Sequence, residues 1–178
     1  MKKTISNLQA ESSSNLPRFI DIFIKKCRAD SNSLVLVTGV FDILHKEHEK
    51  FLKKASDLAD CLIVGIESDL RVQIIKGESR PINNQEVRLD NLNNLKINMR
   101  VFILPNEFNK PQDHIDLIKK IKPNFLAVSS HTEHLDKKRE IMALVGGEVV
   151  VIHDHNKKIS STKIIESRKI TEKRFKNK

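Results

Sequence analysis

The chain has 178 residues, 39% of them hydrophobic and 31% charged, with a net charge of +9 and a pI near 9.6. That length suits one domain with a sizeable core, and the balance excludes disordered and fibrous classes. The positive charge favours anionic partners, either nucleic acid or phosphorylated metabolites.

Residues 1–16 are polar and aperiodic, and read as a loose leader without the apolar segment of a signal peptide. Pro17 opens an amphipathic helix over residues 17–30. Phe19, Ile20, Phe23, Ile24 and Cys27 form its apolar face, which must pack on the domain or on a second subunit of a homodimer. A β-rich run follows from Leu34 to Val40. Then come a helix over His48–Ala59, a strand over Cys61–Ile66, a helix over Gln85–Leu95 and a strand over Arg100–Leu104. His114–Ile121 reads as a helix closed by Pro123, Asn124–Ser129 as a strand, and Leu135–Val145 as a helix stopped by Gly146-Gly147. Glu148–His153 is the fifth strand, and Ser160 or Ser161 caps a last helix toward Arg168. Five short apolar strands alternating with helices predict a doubly wound α/β fold with a parallel sheet over residues 31–168. No apolar run is long enough to span a membrane. Cys27 and Cys61 are 34 residues apart without a CxxC pattern, which argues against a disulfide scaffold and for a reducing, cytoplasmic setting.

Charge is concentrated in the basic tail, residues 169–178. From Glu166 onward, Arg168, Lys169, Lys173, Arg174, Lys176 and Lys178 face only two acids, Glu166 and Glu172. The chain has no Trp or Tyr to stack bases, so the tail reads as a solvated helix end rather than a nucleic-acid site.

Ligands of doubly wound folds bind at the carboxyl ends of the strands, so the residues just after them carry the chemistry. After the first strand come Gly39, Val40, Phe41, Asp42, Ile43, Leu44, His45, Lys46, Glu47 and His48. Gly39 permits a tight turn, and backbone N–H groups near a helix start cradle phosphate. His45 and His48 share a helical face and can neutralise charge on phosphate oxygens. The plainer alternatives are surface histidines at a helix start, or half of a zinc site.

The stretch from Gly39 to His48, followed by Phe51-Leu52, resembles the GxFDxxHxGHxxxL segment of the cytidylyltransferase-like nucleotidyltransferases. Lys76-Gly77-Glu78-Ser79-Arg80-Pro81 resembles their KGxxRP loop, and Glu86 with Arg88 their E-x-R. Gly146-Gly147-Glu148 resembles their last glycine turn, and Ile159 to Ile164 their ISTTxI element. The closest branch is the sugar-phosphate adenylyltransferases of the heptose-1-phosphate type, followed by glycerol-3-phosphate cytidylyltransferases.

The resemblance implies a Rossmann-like nucleotidyltransferase that moves a nucleoside monophosphate, AMP from ATP, to a phosphorylated sugar or polyol and releases pyrophosphate. His45 and His48 would contact the triphosphate, Gly39, Val40 and Phe41 would cradle phosphate, and Asp42 would orient the site. Lys46 would add a cation, Lys76 and Arg88 would hold phosphates, and Ser160, Ser161 and Thr162 would hold the β- and γ-phosphates. Mg2+ would accompany the nucleotide, bound mostly by phosphate and water. Alternatives are a CTP-using polyol-phosphate cytidylyltransferase and a member that binds nucleotide without transfer.

Two departures bear on this. Glu47 replaces a glycine, and a carboxylate there would repel the triphosphate unless it turned away or helped bind magnesium. Val128, Ser129, Ser130, His131, Thr132, Glu133 and His134 replace a Gly-Asp element that touches nucleotide, leaving Ser129 as the expected contact. Asn156-Lys157-Lys158, before the ISTT-like element, argues against CTP. His131/His134 and His153/His155 are further close pairs. No Cys accompanies them, and phosphate contacts explain them more simply than zinc, so no metal site is assigned.

Overall fold

A computed structural model describes residues 16–152. Residues 1–15 of the leader, the histidines at 153 and 155, the Ser160–Thr162 element and the basic tail lie outside the described residues, whereas Leu16, read as part of the leader, is buried in the core.

Five parallel strands form one sheet: β1 (Leu34–Gly39), β2 (Cys61–Ile66), β3 (Met99–Ile103), β4 (Phe125–Ser129) and β5 (Glu148–Ile152). Their order is β3-β2-β1-β4-β5, so the chain reverses direction across the sheet between β1 and β4. β1 pairs with β2 from Leu34–Cys61 through Gly39–Ile66, and with β4 at Val35–Phe125 and Leu36–Leu126. Both faces of β1 and β2 are covered, which is why those strands read as unbroken apolar runs rather than alternating ones.

The helices are α1 (Arg18–Ala29), α2 (Lys46–Ser56), α3 (Asp69–Lys76), α4 (Gln85–Asn93), α5 (Pro111–Ile121) and α6 (Leu135–Ala143). One core gathers Leu34, Leu36 and Ile63 from the sheet with Ile20 and Ile24 of α1, Leu117 and Ile121 of α5, and Met142 of α6. The other gathers Val35, Val37, Leu62 and Val64 with Leu52 and Ala55 of α2 and Leu92 of α4. α1, α5 and α6 thus cover one face, and α2 and α4 the other.

The face of α1 expected to pack on the domain or on a second subunit does so in part on the domain itself. Ile20, Ile24 and Cys27 are buried, whereas Phe19 and Ile22 stay exposed. An Arg28 guanidinium nitrogen donates to the Ile121 carbonyl and fixes α1 against the end of α5. The reading of the cysteines is corrected: Cys27 and Cys61 are joined in a disulfide. Packing α1 on the sheet brings Cys27 against the first residue of β2, a juxtaposition that spacing along the chain does not reveal. With that pair bonded, cysteine usage no longer points to a reducing compartment.

α3 is not among the expected elements, because Leu70, Val72, Ile74 and Ile75 are spread around the helix rather than forming one apolar stripe, and only Val72 is buried. Its start is fixed locally, with the Ser68 hydroxyl accepting from the Arg71 N–H at 3.2 Å. The loop expected from Lys76 onward begins at Gly77, whose φ of +91° ends the helix. Among the described residues no helix is long and apolar enough to cross a membrane.

The turn into β5 has no spare room. A Cβ on Gly147 would stand 2.4 Å from the Pro123 carbonyl oxygen and 2.5 Å from the Met142 methyl. Gly147→Ala is therefore expected to lower stability by about 1–3 kcal/mol, the range for overpacking. Urea unfolding checks this, and an unchanged midpoint would refute the packing described.

Candidate active site

The loop after β1 is shaped by contacts that leave little choice of residue. Gly39 ends the strand, and a Cβ there would stand 2.9 Å from the Phe41 ring. Phe41 adopts φ +49°, a left-handed conformation rare for a large residue, and burial of its ring holds it there. Asp42 is buried, and its carboxylate accepts from the backbone N–H of Ile82 at 3.0 Å and of Asn83 at 2.9 Å. Arg80 completes the set with an ion pair at 2.7 Å. Asn83 in turn donates its side-chain amide to the Asp42 carbonyl at 2.6 Å. Asp42 thereby clamps the 80–83 loop onto the loop after β1.

His45 stands at the N-cap of α2 and His48 in its first turn. Their rings stack with centroids 3.8 Å apart and planes 16° from parallel. The Phe41 ring meets His48 edge-on at 5.3 Å. The Nδ1 atoms of both histidines are sealed from solvent. Burial, followed by the charge of His45, lowers the His48 pKa from 6.5 to about 4, and Lys76 adds a smaller push in the same direction. A contact with the Ile43 backbone opposes this. At neutral pH His48 is accordingly an uncharged imidazole at the positive end of a helix, able to donate one N–H to an anion.

The other expected residues divide sharply. Lys76 closes α3 near the pair. Partial burial, then Arg80, lower its pKa, while Asp42 raises it. Lys46 is exposed at the start of α2. Arg88 was expected at the phosphates, but its guanidinium is fully buried and engaged on three sides. It donates to the Val40 carbonyl at 2.7 Å, the Asn83 carbonyl at 3.1 Å and the Asp69 carboxylate at 2.7 Å. The Val40 carbonyl is thereby occupied as well. Ser129 is half-buried at the end of β4, and Ser130, His131 and His134 are exposed beyond it. Asn83 and Asp69 were missed, since a carbonyl acceptor and a helix-start acid carry no motif of their own.

Glu47 does not confront the pair with a bare charge. It is buried in the first turn of α2 and bonded to Lys50 at 2.9 Å. Among the described residues, no group of three or more His, Cys, Asp or Glu side chains could hold a metal ion. The Asp42 carboxylate is already committed to protein donors, so no residue here is assigned to magnesium.

The cytidylyltransferase-like family model matches residues 36–167, most of the chain. The chain belongs to the cytidylyltransferase-like family of nucleotidyltransferase enzymes. Similar proteins include "Bifunctional protein HldE" of Rhodopseudomonas palustris, 36% identical over 83% of this chain and 29% of that protein. The protein of the same name from Vibrio cholerae is 34% identical over 81% of this chain and 29% of its own. The one from Wolinella succinogenes is 40% identical over 57% of this chain and 20% of its own. The chain thus spans less than a third of the length of these relatives.

Solved structures also share the fold. A lipopolysaccharide core biosynthesis protein from Thermoplasma volcanium aligns at a TM-score of 0.55 and 22% identity, over 70% of this chain and 98% of that one. A pantoate-beta-alanine ligase from Francisella tularensis aligns at 0.55 and 16%, over 84% and 76%. Within this family fold, the histidine pair stands beside the point where the strand order reverses, at the carboxyl end of β1.

The depressed His48 pKa has a testable sign. Between pH 6.5 and about 4 the unfolded chain takes up a proton that folded His48 refuses, so stability present above pH 6.5 is lost as pH falls. His48→Gln is expected to flatten that loss. Melting temperatures from pH 7.5 to 5 check it, and equal slopes in parent and variant would contradict the burial of a neutral imidazole.

Proposed function

We propose that the protein transfers the adenylyl group of ATP to a phosphorylated sugar and releases pyrophosphate. The observation that carries this reading is the His45–His48 stack at the start of α2, set against the Gly39–Phe41 turn and within reach of the Lys76 charge. The similarity to HldE proteins and to the heptose-1-phosphate type of adenylyltransferase supports the donor and the acceptor class.

An oxygen of the acceptor phosphate attacks the α-phosphorus of ATP. The bond from that phosphorus to the bridging oxygen breaks, and pyrophosphate leaves with the electron pair. The acceptor is already anionic at neutral pH, so the protein supplies neither nucleophile nor base. Its part is alignment and charge stabilisation. Neutral His48 donates a hydrogen bond to a phosphate oxygen, and the N-terminal dipole of α2 adds partial positive charge. Lys76 brings a further cation from the end of α3. The clamped 80–83 loop keeps these donors in place before substrate arrives. Mg2+ would enter with the triphosphate, held by phosphate oxygens and water, and would screen its charge.

The test is pyrophosphate release with Mg-ATP or Mg-CTP against heptose 1-phosphate and glycerol 3-phosphate. ATP with heptose 1-phosphate is the expected productive pair. His45→Ala is expected to lower turnover roughly 100-fold, the loss typical of one preorganised donor, with little change in melting temperature. Faster turnover with CTP and glycerol 3-phosphate would reassign both substrates, and near-parent turnover by His45→Ala would overturn the mechanism.

A further inference from the structure

A second group of basic side chains lies on segments that follow β2, β3 and β4, outside the histidine pair. Arg71 is in the first turn of α3, His114 is near the start of α5, and Lys138 is in the first turn of α6. Each is held by its neighbours. Arg71 donates from its guanidinium to the Asn109 side chain at 2.7 Å, and its Nε stands 4.0 Å from Glu67. The His114 ring meets Phe108, a buried residue, edge-on at 4.4 Å. Lys138 donates to the Glu133 carbonyl at 2.9 Å.

The group adjoins the loop after β1. The Glu67 N–H donates to the Gly39 carbonyl at 3.0 Å, and Arg88 joins Val40 to Asp69, two residues before Arg71. The local field is positive at His114. After burial, Lys138 and then Arg71 are the influences that lower its proton affinity, outweighing Asp113 beside it. One Asp113 oxygen is already spent on the Lys110 N–H at 2.7 Å, at the N-terminus of α5. Glu133 and Glu67 temper Lys138 and Arg71 respectively. Arg71, His114 and Lys138 thus stand on the three segments that follow β2, β3 and β4, and α5 and α6 cover the face of the sheet opposite α2.

The geometry points to Arg71, His114 and Lys138 as the subsite for the acceptor, taking the phosphate-bearing end of the sugar. This rests on the adenylyl-transfer reading above. In-line displacement needs the attacking oxygen opposite the leaving pyrophosphate, so donors on two sides of the cleft serve the two substrates separately. The arrangement predicts that loss of these cations weakens acceptor binding and leaves ATP binding alone.

The test follows the ring protons of the seven histidines by NMR in the full chain, with His114→Gln, His45→Gln and His48→Gln assigning their signals. Inorganic phosphate and heptose 1-phosphate are expected to shift His114, and Mg-ATP to shift His45 and His48. Lys138→Met, a partly exposed site, should abolish the His114 shift, and Lys138→Met and Arg71→Gln should each raise the acceptor KM about tenfold, the loss expected for a hydrogen bond to a charged group. The ATP KM should stay within about twofold, inside the range for contacts that are not made. If ATP shifts His45 and turns over while neither phosphate probe moves His114 and both variants keep the parent acceptor KM, the subsite is refuted and the function stands. If phosphate shifts His114 but no nucleotide is bound or turned over, the proposed function falls instead.

Discussion

The buried guanidinium of Arg88 is the constraint on which the rest of the site depends. A charge taken fully out of water is tolerated only when its donors are satisfied. Arg88 meets that condition with the carbonyls of Val40 and Asn83 and the carboxylate of Asp69. Those three partners belong to the loop after β1, the loop before α4 and the first turn of α3. The guanidinium joins the segments after β1 and β2 to the loop between α3 and α4, and Asp42 repeats the device by binding the 80–83 backbone and Arg80. The loop that leads into the histidine stack is thus fastened on both sides of Phe41.

The order of elements was legible because it is written in apolar periodicity. β2 was read with its observed bounds, and the parallel sheet followed from strands that are apolar on both faces. What escaped reading has a common physical cause. In α3, Leu70, Val72, Ile74 and Ile75 are spread around the helix, so no stripe marks it. The Cys27–Cys61 bond depends on how α1 crosses the sheet. Arg88 matched a motif in type and spacing, yet spacing does not say whether a cation faces a ligand or a carbonyl. The site was legible where the chemistry is local, as in His45 and His48 on one helical turn. It was illegible where partners come from distant segments, as with Asn83, Asp69 and the Arg71–Asn109 contact.

The electrostatics show why a strongly basic chain places a neutral imidazole at its centre. Several cations already surround the loop, including Lys76 and Arg80, and a further full charge at His48 would be buried among like charges. Keeping His48 neutral avoids that repulsion in the empty protein while retaining an N–H donor. A permanently charged side chain in that place would be costly to fold around.

Glu47 fits the same logic. A carboxylate in the first turn of a helix is stabilised by the exposed N–H groups there, and this one is also paired with Lys50. Its charge is met on its own helix before a triphosphate approaches. Glu47 is moreover buried, whereas Lys50 is exposed on the helix surface. The pair therefore presents the solvent with its cationic end. The substitution that looked like a barrier to a polyanion replaces glycine with a carboxylate whose neutralising partner comes three residues later on the same helix.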